Sequence, residues 1–232
     1  MRICIAWSAA LAMSVALSAF ASQTTPKTSQ QTPAAPAGTI SAGSAAPKSG
    51  SAAAQAPEPP MSDEDRANQL SDQVGKLMVK CVNLLTAQDP LSLDYCKQQR
   101  DLADQYPGQL RAVDRMLAHD EYGIALAAFD HKPEALAEFN QEILLLPKAV
   151  KLGTVEWSTA YWHRAMIYSQ IGNEDRADRD YRAAEISFRR AARDQGGHPD
   201  QKMRTVLRQH AALLQKEGRT EAAKQLLAEA SK

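Results

Sequence analysis

From Ser62 to Ala230, the apolar side chains recur at three- and four-residue steps, the period of an amphipathic helix. Pairs of turn-forming residues such as Asp89-Pro90 and Pro107-Gly108 interrupt this pattern. The pattern and its interruptions predict eight helices. The fifth helix along the chain ends at 171, and the other seven lie at about 62–87, 91–106, 110–129, 133–146, 173–192, 200–216 and 220–230. We therefore expect an all-α fold made of paired helices.

Residues typical of helix ends support these boundaries. Ser62 precedes three acidic residues and is expected to cap the first helix. Pro133, at the start of the fourth helix, fits a first-turn position. Gly172 and Gly218 are expected to take the left-handed conformation that ends a helix, and Thr220 to cap the last helix. Each glycine therefore predicts a tight turn between two helices.

The first sixty residues differ in composition from the rest. Residues 1–21 form an apolar run after Arg2 and close with Ala19-Phe20-Ala21, which is typical of a cleaved signal peptide. An uncleaved anchor is the alternative, because the run is just long enough to cross a bilayer. Residues 22–60 are rich in Ala, Pro, Ser and Thr and predict a disordered linker, with a recognition tail as the alternative. We expect an exported chain, periplasmic or secreted, cleaved after Ala21.

Two cysteines, Cys81 and Cys96, lie on the first predicted helical hairpin. Cys81 precedes Asp89 by 8 residues and Cys96 follows it by 7, so the two thiols should face each other at similar height. In an exported protein this arrangement predicts a disulfide, with a pair of buried free thiols as the alternative. The chain lacks a C-x-x-C pair, and neither a redox nor a metal role is indicated.

Small, aromatic and large apolar residues recur at fixed positions in the last three predicted hairpins. The positions are Tyr161, Ala165, Tyr168, Gly172, Ala177, Tyr181 and Ala184 in the middle hairpin; Leu207, Ala211, Leu214, Gly218, Ala223, Leu227 and Ala230 in the last; and His119, Gly123, Leu126, Asp130, Ala135, Phe139 and Glu142 in the first. This spacing resembles the tetratricopeptide repeat (TPR) family, whose repeat is a helix-turn-helix of about 34 residues. Residues 109–232 are therefore expected to form about three irregular TPR-like repeats, preceded by an N-terminal helical hairpin at 61–108.

The resemblance implies a concave groove, lined by the first helix of each repeat, that binds a partner protein or peptide. The groove-facing positions carried onto this chain are Asp120, Ile124, Trp162, Met166, Gln170, Arg208, Ala212 and Gln215. A large aromatic residue on an open face is a frequent interaction anchor, which makes Trp162 the leading candidate. The alternative for Trp162 is plain packing against a neighbouring helix.

Charge and motif content give no support for other function classes. Residues 61–232 hold 24 basic and 26 acidic side chains, once Arg2, Lys27, Lys48 and Glu58 are left out of the totals of 27 and 27, and this balance favours neither nucleic acid nor an anionic membrane. The arginines of the sixth helix alternate with acids and predict a solvated face with local ion pairs; Arg189, Arg190 and Arg193 lack close acids apart from Asp194 and are a minor candidate patch for an anion or nucleic acid. The five histidines lack metal-binding spacing, and each is expected at the surface or half-buried. No phosphate loop, nucleophile elbow or metal cluster occurs, so we expect no enzyme activity, cofactor or metal.

The function predicted from the sequence is that of an exported TPR-like module of the cell envelope that binds a partner protein in a groove. A self-associating structural protein is one alternative. An enzyme or small-molecule carrier with an unrecognised pocket is a less favoured one.

Overall fold

The structure is a computed structural model that describes residues 61–194 and 200–232. Within these residues there are eight helices and no strands. They are α1 Asp63–Thr86, α2 Leu91–Gln105, α3 Ala112–Ala128, α4 Lys132–Ala149, α5 Val155–Gln170, α6 Glu174–Asp194, α7 Gln201–Lys216 and α8 Thr220–Ala230. This confirms the predicted all-α fold. The predicted signal peptide (1–21) and linker (22–60) lie outside the described residues.

Polar side chains begin several helices as the sequence predicts. The Ser62 hydroxyl accepts a hydrogen bond from the backbone N–H of Asp65, and the Asp200 carboxylate accepts one from Met203. The expected cap at Thr220 is wrong by one residue, because Arg219 occupies the cap position and the Thr220 hydroxyl donates to the Gly218 carbonyl.

One backbone turn recurs in all four hairpins. The second residue after the first helix has a positive φ in each case: 57° at Gln88, 69° at Asp130, and 77° at Gly172 and at Gly218. In every hairpin the following N–H bonds to a carbonyl five residues earlier, as from Asn173 to Tyr168 at 2.8 Å and from Asp89 to Leu84 at 2.9 Å. The N-terminal hairpin therefore shares its turn with the three hairpins that carry the repeat pattern.

Helix α4 is longer than predicted. The prediction ended it at Leu146, before Pro147, but the helix continues to Ala149. Pro147 removes one hydrogen bond from the helix, because its nitrogen carries no hydrogen. The backbone N–H of Val150 still bonds to the carbonyl of Leu146 at 3.0 Å, so the last turn keeps its hydrogen bonding.

Small residues and a disulfide hold the hairpins closed. Gly123 lies so close to Phe139 that an added methyl group would be 2.6 Å from the ring. The Sγ atoms of Cys81 and Cys96 are 2.02 Å apart, which confirms the predicted disulfide, and both residues are fully buried. Cys81 precedes the positive-φ residue of its turn by seven residues, as Gly123 does in the next hairpin. The covalent bond thus lies at the helix crossing where the later hairpins have a small residue.

The hairpins stack in chain order around a continuous apolar core. Each helix packs mainly against its neighbours in sequence, and the core clusters join one hairpin to the next. Helices α5 and α7 run in the same direction, because each is antiparallel to α6. The Arg164–Asp180 ion pair joins α5 to α6, and the Lys216–Glu174 ion pair joins the end of α7 to the start of α6. None of the helices in 61–194 and 200–232 is both long and apolar enough to cross a membrane.

Candidate functional site

The predicted groove residues fall into a buried and an exposed group. Trp162 is 2 % exposed, and Met166 and Ile124 are each 4 % exposed. The indole N–H of Trp162 donates to the side-chain oxygen of Gln209 at 2.6 Å. The expectation that Trp162, Met166 and Ile124 lie on an open groove face is therefore wrong.

Neighbouring hairpins cover these three positions. Trp162 and Met166 of α5 belong to one core cluster with Met203, Val206 and Leu207 of α7. Ile124 of α3 packs in a second cluster that contains the disulfide and Ile167 of α5. The stacking of α7 on α5 leaves no open groove along the middle of α5, and the alternative of plain packing describes Trp162.

The remaining predicted positions are accessible to different degrees. Gln170, Arg208, Ala212 and Gln215 are exposed. Asp120 is half-buried, and its carboxylate is 2.6 Å from Nδ1 of His163 on α5. The eight predicted groove positions therefore do not form one surface. The exposed ones lie on α7 and at the C-terminal end of α5.

Three histidines are buried against carboxylates. His119 contacts Glu138 through Nδ1 at 2.6 Å and Asp104 through Nε2 at 3.3 Å. His210 contacts Glu185 through Nδ1 at 2.5 Å and Asp178 through Nε2 at 2.8 Å. The expectation of surface or half-buried positions is wrong for these two residues and for His163, all of which are buried.

Hydrogen-bond geometry defines what the pairs can do. An ionised carboxylate can only accept hydrogen bonds. An imidazole that bonds to two carboxyl groups therefore needs a proton on each ring nitrogen, or one of the carboxyls must carry a proton. Both nitrogens of His119 and of His210 are occupied, which leaves no free nitrogen to take a proton from a substrate. His163 is enclosed by the rings of Phe139 and Trp162. The contacts of His119 join α2, α3 and α4, that of His163 joins α3 and α5, and those of His210 join α6 and α7.

Two buried carboxyls accompany these pairs on α3 and α4. Burial raises the pKa of Glu121 from its ordinary value of 4.5 to about 8. The hydrogen bond from Gln99 lowers this pKa, and the negative charge of Asp120 raises it further. Burial, with the nearby Asp120 charge, also holds the pKa of Glu142 well above its ordinary value. Glu121 accepts a hydrogen bond from the Gln99 amide at 2.7 Å, while Oε2 of Glu142 has no hydrogen-bond partner among the described residues. The Glu121 carboxyl is therefore mostly neutral at pH 7, and burial favours the neutral form of Glu142.

Arg164 links three helices at the centre of the chain. Its guanidinium makes a bidentate contact with Asp180 of α6, at 2.7 and 2.9 Å, and donates to Asn140 of α4 at 2.8 Å. It also lies over the rings of Tyr161 and Tyr168. Tyr168 and Tyr181 are buried and Tyr161 is partly buried, and all three pack in the core cluster of α5, α6 and α7.

These polar contacts were not predictable from local sequence, because the partners are 15 to 43 residues apart. One signal was present in the sequence. His163 lies within the segment AYWHRAMIY, in which most residues face the core, and a buried polar group needs a partner.

The described residues hold no group of three or more His, Cys, Asp or Glu side chains arranged to bind a metal ion. The polar side chains described above therefore act between helices, and the accessible candidates are the exposed residues of α7 and the end of α5.

Comparison of the chain with protein-family models and with curated proteins gives no match.

Proposed function

We propose that this chain is an exported protein-interaction module of TPR-like hairpins that binds an extended segment of a partner protein. The binding surface is the exposed face of α7 together with the end of α5, which we call the α7 face and define by Gln170, Arg208, Ala212 and Gln215. The observation that carries the proposal is the alignment of three of these residues on one exposed stripe.

The stripe follows from helical spacing. Arg208, Ala212 and Gln215 are separated by four and three residues, so they lie in line along α7 over about 10 Å at about 1.5 Å per residue. The other faces of α7 are occupied, because His210 packs on α6, Gln209 bonds to Trp162 of α5, and Ala211 packs with α8. Among its faces, this stripe is the one left to solvent.

Gln170 extends the surface onto α5. Trp162 and Gln209 are in contact, and α5 and α7 run in the same direction. Gln170 follows Trp162 by eight residues and Gln215 follows Gln209 by six, which places the two amides at similar heights.

The chemistry of the α7 face suits a peptide backbone. Amide side chains both donate and accept, so Gln170 and Gln215 can bond to main-chain groups of an extended segment. Arg208 makes no ion pair with a carboxylate of the described residues and can bind an acidic side chain or a terminal carboxylate. The small side chain of Ala212 leaves room between them.

Two further observations support the class of protein. The four shared turns and the stacking in chain order fit a helical-repeat scaffold, whose usual role is to present a surface. The buried disulfide fits an oxidising compartment outside the cytosol.

Site-specific photo-crosslinking tests the proposal. A photoreactive amino acid at Ala212, in the cells that make the protein, is expected to give one discrete adduct with another protein. The partner is then purified and its binding measured directly. The double variant Arg208→Glu with Gln215→Ala is expected to weaken that binding at least tenfold, since about 1.4 kcal/mol is a factor of ten and a hydrogen bond to a charged group contributes about that much.

The matched control is the same photoreactive residue at Gln225, which is exposed on α8. Equal adducts from both positions, or none from Ala212 at full incorporation, would contradict the proposal. An adduct made of two copies of this chain, together with a dimer mass in light scattering, would instead support the self-associating alternative.

A further inference from the structure

The outer side of α6 is far more basic than its sequence suggests. The helix contains the arginines 176, 179, 182, 189, 190 and 193, interleaved with the acids 174, 175, 178, 180 and 185. The sequence therefore predicts a face of local ion pairs. The structure separates the two kinds of charge, because most of the acids turn toward neighbouring helices.

Four of the five acids are engaged elsewhere in the fold. Asp180 binds Arg164 of α5, and Glu185 binds His210 of α7 and Arg189. Asp178 contacts His210, Arg182 and Arg219, and Glu174 contacts Lys216 of α7. Of these five acids, only Asp175 remains for the outer side of the helix, which ends at Asp194.

Four arginines consequently lack a carboxylate partner among residues 61–193 and 200–232, whose side chains the structure describes. Arg176, Arg179, Arg190 and Arg193 are exposed, and none of them lies within 4.0 Å of a carboxylate of these residues. Their spacing of 3, 11 and 3 residues places them on one side of α6, over about 25 Å at about 1.5 Å per residue. The predicted pairing is found for Arg182 but not for Arg176 and Arg179, whereas Arg189, which was expected to lack close acids, pairs with Glu185 and Glu229.

Apolar side chains lie within this basic face. Ile186, which is 66 % exposed, follows Arg179 by seven residues and precedes Arg190 by four, so it shares their side of the helix. The side chain of Arg190 packs directly on Gly153 in the loop before α5. In that loop Leu152 is 65 % exposed. Lys148 and Lys151, at the same end of α4, are exposed and make no ion pair with the described residues.

We propose that this basic face of α6 and the α4–α5 loop binds the surface of an anionic lipid bilayer. Basic side chains close to such a surface are attracted to acidic headgroups, and apolar side chains placed between them can enter the boundary with the acyl chains. Ile186 and Leu152 occupy that position among the arginines. A surface for single-stranded nucleic acid would instead call for exposed aromatic side chains for stacking, and the exposed large apolar side chains of this face are aliphatic.

This surface differs from the α7 face proposed for a protein partner. A protein that uses both could hold a partner beside a membrane, and either proposal can fail without the other.

Vesicle flotation measures the binding. The chain without residues 1–21 is used, since an apolar leader would bind vesicles by itself. Binding is expected to vesicles of phosphatidylcholine with about one third phosphatidylglycerol, to be at least tenfold weaker without the acidic lipid, and to fall as salt is raised. The triple variant Arg176→Gln, Arg179→Gln, Arg190→Gln is expected to bind about 100-fold more weakly, at about fivefold for each arginine.

The matched control removes three charges elsewhere, as Lys202→Gln, Lys224→Gln and Lys232→Gln, and is expected to change binding less than threefold. Ile186→Ser tests the apolar contribution and is expected to weaken binding several-fold. Circular dichroism establishes that each variant is folded. Equal loss in the triple variant and the control, equal binding to neutral vesicles, or binding to DNA but not to vesicles would each overturn the proposal.

Discussion

Replacing Glu121 with Gln is expected to make the protein more stable at high pH. Glu121 is buried on α3, and its carboxyl has a pKa of about 8 against an ordinary value of 4.5. Glutamine has the shape of the protonated acid and keeps an oxygen to accept the hydrogen bond from Gln99. The substitution therefore removes the ionisation without removing the contact.

The sign and size follow from proton linkage. Below pH 4.5 both the folded and the unfolded chain hold the proton on Glu121, and the residue contributes nothing to the pH dependence. Between pH 4.5 and 8 the unfolded chain loses the proton and the folded chain keeps it, so stability falls by about 1.4 kcal/mol per pH unit. Over the full interval the loss is about 5 kcal/mol, which is comparable with the whole stability of many domains.

Urea unfolding at a series of pH values from 4 to 9 measures this effect. The free-energy difference between Glu121→Gln and wild type is expected to rise across pH 4.5 to 8 and then level off. Taking the difference cancels the slope from Glu142, whose pKa is also raised. The exposed control Glu64→Gln should give a flat difference. A difference for Glu121→Gln that stays constant within about 1 kcal/mol from pH 5 to 9 would refute the reasoning.

Three further substitutions or treatments test the packing and the turns. Gly123→Ala is expected to lower the free energy of unfolding by about 1 to 3 kcal/mol through overpacking against Phe139. The control Gly75→Ala, on an open part of α1, should raise it by up to about 1 kcal/mol. Equal effects of the two substitutions in urea titration would contradict the close approach of Gly123 and Phe139. Gln88→Gly should raise the melting temperature by relieving about 1 kcal/mol of left-handed strain, and a lowered melting temperature would argue against the positive φ. Reduction of the disulfide should lower the free energy of unfolding by about 3 kcal/mol, read from urea midpoints with and without reductant, and an unchanged midpoint would count against the bond.

The hairpins of this fold are largely predictable from local sequence. Helix periodicity, the glycines at 172 and 218 and the cap at Ser62 act within a few residues of one another, and each is found where it was expected. The disulfide was also predictable, because two helices joined by one short turn leave little freedom in how Cys81 and Cys96 meet.

The candidate site was less predictable, because it depends on contacts between hairpins. Helical spacing correctly places Arg208 and Gln215 on an exposed face. The same spacing fails for Trp162 and Met166, because it does not show whether the next hairpin covers a helix face or leaves it exposed to solvent. The acid–histidine pairs belong to the same class of contact, in which the sequence separation hides the partner.

The position of the disulfide determines how the protein responds to mechanical load. Any tension applied through the chain that precedes Met61 enters α1 and reaches Cys81, where the covalent bond passes it directly to Cys96. The segment between the two cysteines, which are 15 residues apart, carries no tension. About 50 Å of extension, at about 3.4 Å per residue, is therefore not available while the bond is intact. Pulled from that end, the hairpin would release α1 before Cys81 and α2 after Cys96, while the turn between the two cysteines would stay closed until the bond is reduced.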